Sequence, residues 1–491
     1  MRLKQVTWIV PLAVGVSLAA AADLRLVDAV KSKNTDAVRA LLKQRVDVNV
    51  PQGDGATALH WAVHFDDLTT ADLLIHAGAR VNAANDTGVT PLFLACTNRN
   101  AAMVETLLTA GANPNAALLN GETVLMSCAR TGEPGAVKAL LARGADANAK
   151  ESSHDQTALM WAAAQKHPEV VDALVKHGAD VRARSRVYTQ TVTSEVTQRA
   201  GREELNYLVP RGGSTPLLFA ARVGDVESAR ILLAAGADVN DALPNGTTAL
   251  VEAAHSGHEA IGALLLDKGA NPNSADVGYT ALHAAVLRGG LKLVGALLAH
   301  GANPNAPITK GTPVRRNSED FELPATLVGA TPYLLAAKFL EVDIMRVLAA
   351  GGADPRFPMK TGATPLMVAA GLGASAQADR RGLSVLDGGR MEDERRVLEA
   401  VTVAFELGGA VNGANQSGDT ALHGAASLGY NTVVRFLAEH GAQLNAQNKR
   451  GQTPLAAISG RKGEGITAAD RSNQLPRQST VDLLRKLGAV E

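Results

Sequence analysis

Cysteine is almost missing from this chain: Cys96 and Cys128 are the only two in 491 residues. That excludes a disulfide-dense scaffold and a Cys-rich zinc or iron-sulfur centre. Net charge is missing too, since 48 basic side chains are matched by 48 acidic ones. A nucleic-acid binder draws affinity from surplus Lys and Arg, so this balance argues against that class. Only 16 residues are aromatic, and small and aliphatic side chains must therefore fill the core. No apolar run after residue 22 reaches the roughly 18 residues of a membrane span. Walker, HExxH, GxSxG and CxxC motifs are all absent. What is present is apolar content of 46% with 20% charged residues, enough to exclude a mostly disordered chain.

Residues 1–22 have the three-part layout of a secretory signal. Arg2 and Lys4 form a basic start, Val6 to Leu18 is apolar, and Ala19 to Ala22 supplies small residues before Asp23. Cleavage after Ala22 is expected. Retention as a membrane anchor is the alternative, disfavoured by the short run and by Pro11 within it. The mature chain, from Asp23 onward, is expected to be exported, either periplasmic or secreted, with no further membrane span, and residues 23–490 are expected to form its repeat array.

The rest is periodic. Threonines stand at 57, 90, 123, 157, 215, 248, 280, 331, 364, 420 and 453, and five of the ten intervals are 33 residues. The long intervals of 58, 51 and 56 read as one period plus an insertion. A glycine keeps the same phase, 21 residues after its Thr, at 78, 111, 144, 178, 236, 269, 301, 352 and 441, with Gly409 and Gly488 in that role after insertions. Each Thr opens a TALH or TPLL segment, where its hydroxyl can cap a first helix. Pro91, Pro216, Pro332, Pro365 and Pro454 follow at the first helical position, where a missing amide costs nothing. The glycine suits the left-handed end of a second helix. The unit is helix, turn, helix, then an extended loop.

This pattern resembles the ankyrin repeat family. TALHWAVHFDD at Thr57 and TALHGAASLGYNTVVRFLAEHGAQLNAQNKRGQTPL at Thr420 are near-consensus units, and GAxxN closes almost every repeat. The resemblance covers twelve units from Leu24 to Val490 and implies an all-α repeat fold, an ankyrin solenoid. Helices of about nine residues do not persist alone; stacking must bury their Leu, Ile, Val and Ala faces in one continuous core. The first and last units depart from the pattern as capping repeats do: Leu24 replaces Thr, and Arg45 replaces the glycine.

Four insertions interrupt the array, at about 183–213, 306–329, 371–394 and 459–478. The first two enter finger loops, and the last two fall between the helices of a pair. From Val187 to Val196 β-branched and polar residues alternate, which predicts an extended hairpin arm. That insertion, with Arg182, carries six arginines against three glutamates. Loops of this length on a rigid scaffold are binding elements or tolerated surface additions, and both readings stand.

Signals of chemistry are weak. Gly371 to Ala376 fits GxGxxA, but it follows a helical TPLMVAA segment where a dinucleotide site requires a strand. His255 and His258 belong to the AAxxGHxE turn, a structural role preferred over metal binding. The resemblance assigns His60, His283 and His423 to hydrogen bonds bracing adjoining loops. Cys96 and Cys128 lie at alanine-like positions of adjacent first helices; small buried thiols are the preferred reading, with a disulfide open because spacing does not fix the Cα distance. Asn85, Asn245 and Asn415 begin glycosylation sequons. No catalytic residue, metal or cofactor is expected.

In ankyrin proteins partners meet the finger-loop tips and the exposed end of each first helix. Carried onto this sequence, that implies His64 and Phe65, Arg130 and Thr131, Arg222 and Val223, His255 and Ser256, Leu287 and Arg288, Lys338 and Phe339, and Ser427 and Leu428, with Tyr279 just before its Thr. His64, Phe65, Arg130, Arg222, Tyr279, Arg288, Lys338 and Phe339 are the candidates, because aromatics beside Arg dominate interface energetics. Trp61 and Trp161 are expected in the inner packing. The expected function is a monomeric, non-catalytic scaffold for a protein partner. An enzyme-associated subunit and an exported effector acting on host proteins are the alternatives.

Overall fold

The computed structural model describes residues 23–198, 201–311, 323, 325–372, 390–459 and 474–490. The signal segment and parts of all four insertions lie outside these residues. Two compact units divide the chain, Met1–Asp146 and Ala147–Glu491.

The first unit holds four helix pairs: α1 (Arg25–Lys31) with α2 (Thr35–Lys43), α3 (Ala58–His64) with α4 (Leu68–His76), α5 (Pro91–Thr97) with α6 (Ala101–Thr109), and α7 (Val124–Thr131) with α8 (Pro134–Ala142). First helices pack on first helices, as α3 on α5 and α5 on α7. The reason is visible in side-chain size. Leu59, Leu92 and Leu125, two residues after each Thr, and Ala62 and Ala95, five after, are essentially inaccessible to solvent. Small side chains let helix axes approach closely, and each buried leucine contributes about 2 kcal/mol of transfer free energy.

The second unit holds eight pairs. They are α9 (Ala158–Ala164) with α10 (Pro168–Lys176), α11 (Pro216–Val223) with α12 (Val226–Ala234), α13 (Ala249–Ser256) with α14 (Glu259–Asp267), and α15 (Ala281–Arg288) with α16 (Leu291–Ala299). Then come α17 (Pro332–Lys338) with α18 (Val342–Ala350), α19 (Pro365–Ala369) with α20 (Arg390–Glu406), α21 (Ala421–Leu428) with α22 (Asn431–Glu439), and α23 (Pro454–Ser459) with α24 (Gln474–Lys486). The all-α repeat expectation and its twelve units therefore hold.

Local chemistry sets the ends. The hydroxyl of Thr123 accepts the N–H of Met126 at 3.2 Å, and Thr453 that of Ala456 at 3.1 Å. Arg45 itself takes the left-handed conformation, φ 59°, that glycine holds elsewhere. One expected marker shifts by a residue: Gly408, not Gly409, has the positive φ, 98°.

The residue that joins repeats is the Asn of GAxxN. Asn82 donates to the Gly111 carbonyl at 3.0 Å and accepts the Asn113 N–H at 2.7 Å. Asn273 repeats this with Gly301 at 2.9 Å and Asn303 at 2.7 Å. Each side chain thus satisfies a helix-end carbonyl and a loop amide of the next repeat.

The first insertion forms the expected hairpin, longer than its alternating segment: β1 (Tyr188–Gln198) pairs antiparallel with β2 (Gly201–Arg211), Tyr188 opposite Arg211. Its base is pinned by Arg186 to Asp155 at 2.7 Å and by the Ser185 N–H to the Ser214 carbonyl at 3.0 Å. Helical structure reaches into two of the insertions. The third was placed at 371–394, but α20 already runs from Arg390, and Glu394 accepts the Thr432 hydroxyl at 2.8 Å. The fourth was placed at 459–478, yet α24 begins at Gln474. In the second, Leu323 and Leu327 are buried and the Ile308 N–H closes on the Ala330 carbonyl at 2.9 Å; most of PVRRNSEDFELP lies outside the described residues.

Candidate partner-binding face

In the first unit, α3 brings three rings together at its C-terminal end. Trp61, His64 and Phe65 lie one helical turn or one residue apart, with centroids separated by 5.5 Å (Trp61 to His64), 5.7 Å (Trp61 to Phe65) and 5.2 Å (His64 to Phe65). The preceding repeat adds cations: the Lys31 ammonium is 4.3 Å from the Trp61 ring centroid and the Lys33 ammonium 4.9 Å from that of Phe65. Such cation–π contacts contribute roughly 0.5–1 kcal/mol each when exposed. Trp61 does not belong to the inner packing as expected. It is half-buried, its indole N–H donating to Gln52 Oε1 in the finger loop at 2.7 Å. Trp161 is half-buried as well.

The other candidates are spread along the array and tied into it. Arg130 pairs with Glu122 of its own finger loop at 3.4 Å. Arg222 pairs with Glu252 of the next repeat at 2.7 Å. Arg288 donates to the His255 carbonyl of the preceding repeat. Lys338 and Phe339 are half-buried at the end of α17, and burial pushes the Lys338 ammonium below its usual pKa. Tyr279 is 6% exposed, so it offers almost no surface to a partner. His64, exposed, and Phe65, half-buried, are gathered with further aromatic and basic groups, and Arg222 lies 5.7 Å from the Phe219 ring centroid.

The TALH histidines divide. The Nδ1 of His60 accepts the Thr57 N–H at 3.1 Å, which leaves Nε2 to donate to the Val89 carbonyl at 3.1 Å. His423 does the same with Thr420 and Gln452. Burial lowers the His60 pKa despite that carbonyl bond. His283 departs from the expectation. It keeps its Thr280 contact at 3.2 Å, but its buried Nε2 makes no well-formed hydrogen bond among the described residues, and the nearby Ala330 and Ala306 backbone only partly offsets its burial. The equivalent carbonyl, Ala330, receives the Ile308 N–H where the second insertion closes. Complete burial pushes His283 down to about 4. His258 meets the Arg222 carbonyl at 3.1 Å, the structural role expected of it.

The cysteine expectation is overturned. Cys96 and Cys128 form a disulfide, with Cα atoms 4.7 Å apart and both residues inaccessible to solvent. Cys128 occupies the five-after-Thr site held by alanine in neighbouring repeats, and Cys96 the six-after site. Close helix approach brings these two positions face to face.

Family models described as ankyrin repeats in three copies match residues 26–117, 111–185, 217–308 and 395–464, and a many-copy ankyrin model matches 159–233. The chain belongs to the ankyrin repeat family. A putative ankyrin repeat protein of Rickettsia bellii (strain RML369-C) is 39% identical over 83 residues, 14% of this chain and 35% of that relative. The chain thus spans about a third of the length of that relative. In ankyrin terms, α3 and its neighbours place the aromatic cluster on first-helix ends, and the hairpin extends one finger loop.

Gly371 follows helix α19, not a strand, and the rest of its GxGxxA motif beyond Leu372 lies outside the described residues. Among the described residues no group of three His, Cys, Asp or Glu could hold a metal, and no helix is long and apolar enough to cross a membrane. Glu151, at the base of the hairpin loop, is buried; burial alone would raise its pKa, but amides of Gln156, Ser153 and His154 hold it below the usual range. Its three bonds of 2.7–3.0 Å make it a loop-folding residue.

Proposed function

We propose that this ankyrin protein is a non-catalytic scaffold that works outside the cytosol and binds a protein partner through the first-helix ends of its N-terminal unit. The observation that carries this is the ring cluster of Trp61, His64 and Phe65, bordered by Lys31 and Lys33. Half-buried aromatics on rigid helices offer contact area with little ordering entropy to lose. The buried disulfide supports the exported reading, because disulfides persist in oxidising compartments, as does the signal layout of residues 1–22. Zero net charge predicts a complex only modestly sensitive to salt.

The test is affinity capture from an envelope extract with the mature chain, with partner affinity then measured for Phe65→Ala, Trp61→Ala and a chain lacking both finger-loop insertions. Loss of about 2 kcal/mol or more, roughly thirtyfold in Kd, is expected for the aromatic variants. Unchanged affinity in both aromatic variants refutes the face. Unchanged affinity without the insertions removes them from the site.

A further inference from the structure

At nine junctions between repeats the Asn of GAxxN accepts a backbone N–H from the next repeat: Arg80, Asn113, Asp146, Asp180, Asn271, Asn303, Asp354, Gln443 and Val490 donate at 2.7–2.8 Å. Arg182 stands where one of these asparagines belongs. Its Nε keeps half of the task, donating to the Gly236 carbonyl at 3.1 Å. A guanidinium has no acceptor, so the other half is lost. The Asp238 N–H, equivalent to the nine donors above, has no acceptor among the described residues.

Asp238 is exposed and forms part of the wall of a surface hollow. Arg182, Asp238 and Lys268 line one hollow of about 600 Å³, whose wall also includes the apolar Leu233 and Val239. The two terminal guanidinium nitrogens of Arg182 and the Lys268 ammonium have no hydrogen-bond or ion-pair partner among the described residues. Arg184 does not compete, being paired with Asp241 and bonded to the Gly213 carbonyl at 2.9 Å. The other Arg at a ladder position, Arg356, differs, because it turns onto its own Asp354 at 3.5 Å.

We propose that this hollow binds a carboxylate. One oxygen takes the acceptor place that the Asn side chain fills elsewhere, on the Asp238 N–H; the other takes the Arg182 guanidinium, a geometry suited to a planar oxyanion. Charge selects the ligand. Arg182 and Lys268 supply two positive charges, Asp238 removes one, and the Arg184–Asp241 pair is neutral, leaving one positive charge for a monoanion. Dianionic phosphate would leave the site negative. The apolar wall fits a carboxylate attached to a hydrocarbon group, whether a free small acid or the C-terminus of a peptide.

The mature chain labelled with ¹⁵N-aspartate gives an Asp238 amide signal, assigned by its disappearance in Asp238→Asn. At constant ionic strength, acetate should shift this signal saturably. Arg182→Asn, which restores the family residue and its acceptor, should abolish the response, and Lys268→Gln should weaken binding at least threefold. N-acetylleucine and its amide separate the sources. Binding of the acid tenfold tighter than acetate, with none by the amide, identifies a peptide C-terminus; equal binding of the acid and acetate identifies a small free acid. An identical shift with chloride, tighter binding of phosphate than of acetate, or a response retained in Arg182→Asn overturns the proposal.

Discussion

Replacing both Cys96 and Cys128 by alanine should destabilise the N-terminal unit by about 4 kcal/mol. The bond closes a loop across 32 residues of sequence separation. Chain-entropy arguments put such a closure at roughly 3.7 kcal/mol at 25 °C, since the unfolded chain is denied the conformations in which the ends are apart. Small residues occupy the equivalent positions in neighbouring repeats, Ala95 and Ala162 for Cys128 and Val63 and Ala129 for Cys96, so little strain accompanies the change. In the chain beginning at Asp23, which lacks Trp8, Trp61 reports on the first unit if Trp161 is changed to Phe. With a urea m-value near 2 kcal/mol/M, the midpoint of the Trp61 transition should fall by about 2 M. Because neither cysteine is accessible to solvent, reductant added to folded protein should leave the midpoint unchanged, whereas reduction in denaturant and refolding should reproduce the double variant. A midpoint shift below about 0.3 M would refute the loop-closure reasoning.

Two further outcomes follow from buried polar groups. His283 has a folded pKa of about 4 against an ordinary value of 6.5. The folded state therefore binds fewer protons than the unfolded one between these values. The stability at stake is fully present above pH 6.5, and roughly 3 kcal/mol of it is lost as pH falls to about 4. His283→Met, the residue type found at this site in other repeats, should flatten urea midpoints measured from pH 7 to 4.5; an unchanged slope counts against the assignment. Tyr333 is inaccessible to solvent, and its hydroxyl finds no partner among the described residues. Burial accordingly raises its pKa. Tyr333→Phe should raise stability by about 1 kcal/mol or more, seen as a higher thermal midpoint, and a lower midpoint would show that the hydroxyl is satisfied.

The repeat was legible because its markers are local chemistry. A capping Thr, a proline at the first helical position and a left-handed glycine each act within a few residues of themselves, so their spacing carries the architecture. Candidate sites were less legible because they depend on contacts about one period away. Arg222 and Arg288 look like free interface arginines in sequence, yet each is spent on an adjacent repeat. Tyr279 precedes its Thr as an exposed aromatic would, but it is buried. Trp61 reads as core until Gln52 and Lys31 are seen beside it. The disulfide did leave a trace in the sequence: its separation of 32 is one less than the period, the offset at which adjacent first helices face each other.

The ladder explains why long finger-loop insertions leave the stacking of their repeats undisturbed. Asn273 reaches Gly301, 28 residues on, at 2.9 Å, and Asn305 reaches Gly352, 47 residues on, at 3.0 Å. The bond is the same although the second insertion lies inside the longer span. Both finger-loop insertions enter just after the ladder residue, so its bond to the helix-end carbonyl of the next repeat forms across the insertion, and closing a longer loop adds only about 0.6 kcal/mol per doubling of length. Loop length is therefore a poor guide to where this array departs from its family. A change of ladder residue is a better one, since substituting Arg182 for Asn keeps a donor, removes an acceptor and leaves an amide beside two unpaired cations.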